Sequence, residues 1–161
     1  PHAEKKIMDM IHYPERVTYA GRLDKDSEGL ILLTNDGDLI NAMMRGANRH
    51  EKEYIVKTDK EITPDFLEKM RQGIFLKDLD ITTRQCEVEQ IGKFTFRIVL
   101  TQGVNRQIRR MCEACGTKVK ALKRVRVMNV LLGDLKPGRW REVTGEELKQ
   151  LQKDAGMLNR D

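Results

Sequence analysis

The side chains best suited to chemistry in this 161-residue chain fall in three short stretches. The first is Gly21-Arg22-Leu23-Asp24-Lys25-Asp26-Ser27-Glu28-Gly29-Leu30, which puts Asp24 in a short polar loop just before the apolar run Leu30-Ile31-Leu32-Leu33-Thr34. A carboxylate on a loop braced by a rigid strand is placed as functional groups commonly are. Gly21, Gly29 and the Asp, Lys and Ser residues between them are equally the material of a plain turn. The second stretch, Asn105-Arg106-Gln107-Ile108-Arg109-Arg110, is strongly basic and opens a predicted helix. Cations gain nothing from the helix dipole at that end, so arginines there suit an anionic ligand or a carboxylate elsewhere in the fold. The third is Lys52-Glu53-Tyr54, whose Tyr54 ring can stack on a base or simply pack. An arginine beside an acid keeps the acid ionised, and an ionised, oriented carboxylate can act as a nucleophile. The pairing expected on this reading is Asp24 with Arg109, which leaves Asp26 as a surface or structural acid.

Other chemistries find less support. Cys112-Glu113-Ala114-Cys115 has no second pair at useful spacing, and the three histidines (His2, His12 and His50) are scattered, so helical burial is expected there rather than a zinc site. Neither standard glycine-rich phosphate loop nor a serine nucleophile elbow occurs. Asp24 and Asp26 could form the carboxylate pair of a glycosidic hydrolase, a reading that free uracil among the products would favour.

Composition narrows the partners. The chain is 39% hydrophobic and 34% charged, with a net charge of +5. The stretch from Gln102 to Arg126 holds eight basic residues and one acid, a local +7, so the remainder carries −2. A basic surface on a nearly neutral body suits a polyanion, RNA or DNA. A module that binds RNA without catalysis would share that surface. No apolar run is long enough to span a membrane, and no secretory pattern opens the chain. Three cysteines do not suggest a disulfide framework, so a reducing cytoplasm is expected. The opening Pro1-His2-Ala3, without a Met, suggests a piece of a longer product.

The elements that must position these residues can be read from periodicity. A short helix is expected from Glu4 to His12, stopped by Pro14, then a strand over Arg16–Tyr19 and a buried strand over Leu30–Thr34. Asn35-Asp36-Gly37-Asp38 should cap a helix carrying Leu39, Ile40, Met43 and Met44, with the Met pair as core filler. Lys52–Thr58 alternates as a strand. Thr63, Pro64 and Gly73 bracket a helix. One or two strands are expected between Leu76 and Gln90, then a hairpin turn at Ile91-Gly92-Lys93 and a strand through Phe94, Phe96, Ile98 and Leu100. A helix follows from Asn105 to Cys115, burying Ile108, Met111, Cys112 and Cys115 and stopped by Gly116. Strands are expected over Val119–Leu132 and Trp140–Val143, with a turn at Pro137-Gly138 and a capping box at Thr144-Gly145-Glu146-Glu147 opening a last helix. Strands joined by short turns, with fewer helices, predict a single α+β domain: a mixed, largely antiparallel sheet with flanking helices.

The three stretches, taken together, resemble the motifs of the pseudouridine synthases of the RsuA/RluB/RluE/RluF group, in that group's order. Gly21-Arg22-Leu23-Asp24 with Ser27, Gly29 and Leu30 is similar to its catalytic motif, Lys52-Glu53-Tyr54 to its second, and Gly103-Val104-Asn105-Arg106-Gln107-Ile108-Arg109-Arg110-Met111 to its third. Leu122-Lys123-Arg124-Val125-Arg126 and Gly138-Arg139-Trp140-Arg141 extend the likeness along the chain, and the wording around His50 and Cys112 is most like the RluF type. The resemblance implies a catalytic domain over residues 1–161 that isomerises uridine to pseudouridine in ribosomal RNA, of the large subunit in the RluF type, with transfer RNA as a second candidate. It implies no cofactor and no metal. In that scheme Asp24 is the nucleophile, Tyr54 stacks on the target base, Arg109 pairs with Asp24, and Ile108 packs on the uracil. Arg22 fills the place the target nucleotide left, while Lys52, Asn105, Arg106 and Gln107 face RNA or substrate. The group's N-terminal S4 RNA-binding domain and its Lys-Pro-x-Gly strand do not occur in these residues. A monomer is expected.

Overall fold

A computed structural model describes residues 16–21, 23–45 and 49–157. The helix expected over Glu4–His12 and the side chain of Arg22 lie outside those residues. Three short strands come first: β1 (Thr18–Tyr19), β2 (Glu28–Gly29) and β3 (Leu33–Thr34). Helix α1 (Gly37–Arg45), strand β4 (Lys52–Thr58) and helix α2 (Pro64–Gln72) follow. Next are β5 (Phe75–Leu76), a 3₁₀ turn over Lys77–Leu79, β6 (Ile81–Thr82), β7 (Glu87–Gly92) and β8 (Thr95–Leu100). Helix α3 (Gln107–Ala114), β9 (Val119–Val127), β10 (Val130–Leu131) and α4 (Gly145–Asp154) complete the order. The main sheet runs β10-β9-β4-β8-β7, antiparallel throughout, and β2 adds to β9 in parallel. This is the expected mixed, largely antiparallel α+β architecture.

The alternation in β4 and β8 decides which face receives the helices. Tyr54 lies opposite Ile98, and Val56 opposite Phe96, so these four share one face with Leu122 of β9 and Val88 of β7. That face packs on Phe66, Leu67 and Met70 of α2 and on Ile108, Met111 and Cys112 of α3. Phe66 meets Phe96 edge to face, with ring centroids 5.4 Å apart. The other face shows charge: Arg97 of β8 contacts Glu53, Glu87 and Glu89, and Arg126 of β9 holds Glu53 at 3.0 Å. A second core gathers Leu30, Leu32, Leu39, Met43, Val127, Val130 and Leu151 between α1, α4 and the β9–β10 hairpin. No helix among the described residues is long and apolar enough to cross a membrane.

Helix α2 follows its sequence signals closely. Thr63 Oγ1 accepts from Phe66 N at 3.1 Å, Pro64 occupies the first turn, and Gly73 closes the helix. Thr63→Ala should lower stability by about 1 kcal/mol, read as an earlier urea midpoint with an unchanged slope.

Four expectations need correction. The Leu30–Thr34 run is not one strand. Leu30 N donates to Arg124 O beside β9, Leu32 O accepts from Ala20 N, and only Leu33–Thr34 pairs with β1. The segment passes from one sheet to the other, so its apolar character reports burial rather than a continuous ladder. Met43 is buried but Met44 is 68% exposed. Trp140–Val143 forms no strand; its contact with β10 is made by a side chain, Arg141 Nη2 donating to Leu131 O at 3.1 Å. Thr144 stands at the start of α4 without a side-chain cap, and Glu147 is instead held bidentately by Arg141 at 2.7 and 2.8 Å.

Candidate active site

The helix-packed face of the sheet continues past the apolar core into a cleft of about 180 Å³. Its floor comes from three adjacent strands. Tyr54 and Lys52 of β4, two apart and so on one face, lie beside Leu100 of β8 and beside Leu122 and Arg124 of β9. One wall is the Leu23–Ser27 loop with Asp24, and the other is the segment from Gln102 to Ile108. The volume falls below the roughly 300–1,000 Å³ of drug-sized pockets and suits one flat, base-sized group. A larger cavity of about 590 Å³ is lined by apolar residues such as Leu32, Val130 and Leu151 and contains neither Asp24 nor Tyr54, so size does not mark the chemistry here.

The loop wall is a turn fastened at both ends. Ser27 N donates to Asp24 O at 3.0 Å, closing a four-residue turn with Asp24 first and Asp26 third. Immediately after it, Glu28 and Gly29 pair with Lys123 and Arg124. On the other side, Arg106 donates from Nη1 and Nη2 to the two carboxylate oxygens of Asp26, each at 2.9 Å. Arg109 Nη2 donates to the backbone oxygen of Asp26 at 2.8 Å, and its Nε lies 3.5 Å from Asp26 Oδ1. The Arg106 fork, helped by the Arg109 charge and opposed by slight desolvation, holds the Asp26 carboxyl below its ordinary range.

The opposite wall is organised by amides and guanidinium groups. Arg106 precedes α3 with a left-handed backbone, φ 50° and ψ 37°. Arg110 reaches back to Asn105, with Nε 2.9 Å from its backbone oxygen. Gln102 Oε1 accepts from Arg84 N at 2.8 Å and from Gln107 Nε2 at 3.3 Å. That chain fixes which end of the Gln107 amide is nitrogen and leaves its buried Oε1 without a hydrogen-bond partner. Ser27 Oγ and Arg109 Nε are also buried without a hydrogen-bond partner, the latter making only its longer ion contact with Asp26. Ser27 and Gln107 line the cleft, and natural folds pair such atoms with protein groups or ordered water.

On the floor, burial and the neighbouring Arg124 charge push the Lys52 ammonium below its usual pKa. Arg124 itself is buried, with Nε donating to Leu30 O at 2.9 Å. The cysteines stay out of this chemistry. Burial pushes the Cys112 thiol up to about 12 and the Cys86 thiol up to about 11. Among the described residues, no three His, Cys, Asp or Glu side chains form a group able to hold a metal.

Of the residues expected from sequence, Asp24, Lys52, Tyr54, Asn105, Arg106, Gln107 and Ile108 line this one cleft. The expected pairing of Arg109 with Asp24 is corrected: its carboxylate partner is Asp26. The turn explains the exchange. It carries the third residue, not the first, toward α3, so the arginine expected at Asp24 meets Asp26 instead. Arg106, expected to face RNA, spends its fork on Asp26. Arg124 was counted in the basic stretch and in the Leu122–Arg126 run of the resemblance, but not as a cleft residue. Its place two residues from the apolar Leu122 was the available signal, and the register opposite Tyr54 is what turns it into the cleft.

A family model described as RNA pseudouridylate synthase matches residues 2–114. The dual-specificity RNA pseudouridine synthase RluF of Escherichia coli (strain K12) is 50% identical over 147 residues, covering 91% of this chain and 50% of that protein. The ribosomal large subunit pseudouridine synthase B of Xylella fastidiosa (strain Temecula1 / ATCC 700964) is 39% identical over 121 residues, covering 70% of this chain and 25% of that protein. The chain therefore spans about half the length of the RluF relative and less of the second. A crystal structure of a pseudouridylate synthase superposes with a TM-score of 0.84 at 29% identity, covering 90% of this chain and 64% of the other.

Proposed function

Since the chain belongs to the RNA pseudouridylate synthase family, we propose that its cleft isomerises uridine to pseudouridine in ribosomal RNA, with Asp24 as the nucleophile. The convergence of Asp24 and Tyr54 on one base-sized cleft carries this reading. The glycosidic bond lies inside the stacked helix, so the target uridine must be flipped out, at a cost of roughly a few kcal/mol. The Asp24 carboxylate adds to the flipped nucleotide and the N1–C1′ bond opens. The uracil turns, and C5 bonds to C1′. C5 loses its proton, N1 gains one, and Asp24 is released unchanged. Tyr54 stacks on the base, Ile108 packs against it, and Lys52, Asn105 and Gln107 contact the nucleotide. Arg109 serves by holding the Asp24 turn. The exposed Lys118, Lys120 and Lys123 of the basic stretch meet phosphates, which makes affinity fall with salt. Large-subunit ribosomal RNA as substrate is supported by the name of the Xylella fastidiosa relative, and transfer RNA is the second candidate from the sequence resemblance. The protein works in this reading as a monomer in the cytoplasm, as a catalytic domain.

A hydrolase using Asp24 and Asp26 as a carboxylate pair fits less well, because Asp26 is occupied by two arginines. Ribosomal RNA transcripts carrying tritium at uridine C5 separate the readings. Isomerisation releases tritium to water with no free uracil. Free uracil among the products would overturn the isomerase assignment, and the absence of both would overturn catalysis on this RNA.

A further inference from the structure

We infer that Asp26 is a positioning residue for the proposed reaction: it clamps the turn carrying Asp24 to the start of α3 and so fixes the nucleophile against the cleft floor. The inference rests on the isomerase reading for its catalytic part, but its structural part stands without it.

Three observations carry it. The first is the geometry of the clamp. Both oxygens of Asp26 accept from the Arg106 fork at 2.9 Å, across 80 residues of chain. Such bidentate contacts fix orientation as well as distance. Arg109 takes the backbone oxygen of the same residue at 2.8 Å. The second is where the clamp acts. Asp26 is the third residue of a turn whose first residue is Asp24, closed by Ser27 N on Asp24 O at 3.0 Å. Held at Asp26 and anchored after Ser27 by the pairing of β2 with β9, the turn loses most of its freedom to swing. The third is strain. Arg106 adopts φ 50° without being glycine, a conformation that persists only when its surroundings impose it. The contact with Asp26 pulls this side chain toward the turn and supplies such a restraint.

The usual reading of an exposed Asp–Arg pair is a surface ion pair of little consequence. This pair differs in joining the catalytic loop to the opposite wall of one cleft. Preorganisation has large leverage there, since a displacement of about 1 Å at a reacting group can cost about a hundredfold in rate.

Asp26→Asn keeps the shape and removes the charge, and Arg106→Gln removes the other half. Each should lower kcat in the C5 tritium assay about 10- to 100-fold, with RNA affinity by filter binding changed less than about threefold. Asp26→Glu should recover much of the loss. The double variant should fall no further than the worse single variant, because the two side chains act as one unit. A kcat at the wild-type level in Asp26→Asn, or independent losses that multiply in the double variant, would overturn the role. Amide hydrogen exchange of Ser27 in the free protein reads the clamp even if the wild type proves inactive. Its protection should drop about tenfold or more in Asp26→Asn, and unchanged protection would overturn the clamp itself. Wild-type inactivity together with lost protection would overturn only the isomerase reading.

Discussion

Asp24→Asn should abolish pseudouridine formation, with kcat down by at least about 10⁴-fold, equivalent to about 5 kcal/mol of transition-state stabilisation. The amide matches the carboxylate in shape but is a far poorer nucleophile, and among the described residues lining the cleft Asp24 is the one acid. Among the described acids Asp26 lies nearest in sequence, and both its oxygens are engaged by Arg106. The fold should not notice the change: Asp24 contributes its backbone oxygen, not its side chain, to the turn that Ser27 closes. The urea midpoint should therefore stay near the wild-type value, and RNA affinity should stay within a few-fold. Loss of rate with retained fold and affinity separates a nucleophile from a residue that merely supports the cleft.

Gly29→Ala should lower stability by about 3 kcal/mol. A Cβ at this position would lie 2.2 Å from the Arg124 backbone oxygen and 2.5 Å from its backbone nitrogen. Those atoms belong to β9 in the middle of the sheet, flanked by β4, and cannot retreat without breaking the register. The backbone at Gly29, with φ +117°, adds strain that an L side chain pays in full. Gly21→Ala isolates that second term. It also has a positive φ, +104°, but a Cβ there meets nothing within 4 Å, so its loss should be about 1–2 kcal/mol. Urea denaturation of the two variants measures the difference. Equal losses would show that close approach to β9 contributes nothing.

These two residues also show what the sequence made legible. Asp24 could be found because turn-forming residues around a carboxylate ran straight into an apolar segment. Tyr54 could be placed because β4 alternates cleanly, and α2 because Thr63, Pro64 and Gly73 give local signals that tertiary packing did not override. The sheet followed from strand periodicity and short connections. What stayed hidden depended on contacts between distant segments. Whether Arg109 reaches Asp24 or Asp26 is set by a turn that rotates two neighbouring carboxylates to different sides, and charge alone treats them alike. Arg124 looked like surface charge because a basic side chain in a strand usually is; only the register of β9 against β4 turns it inward. The Leu30–Thr34 run reads as one strand because burial and strand pairing share an apolar signature, and here burial continues where the pairing changes sheets. Trp140–Val143 has strand-like composition, but it meets Leu131 through the Arg141 side chain rather than through its backbone.

The measurement that bears most directly on the central claim is a map of pseudouridines in an unmodified large-subunit ribosomal RNA transcript, made by carbodiimide labelling and primer extension after incubation with the purified chain. Wild-type protein should produce one or a few discrete stops at uridines in stem–loops, and Asp24→Asn should produce none. The same stops with Asp24→Asn would remove Asp24 from the chemistry, and an unchanged map with the wild-type chain would contradict the account as a whole.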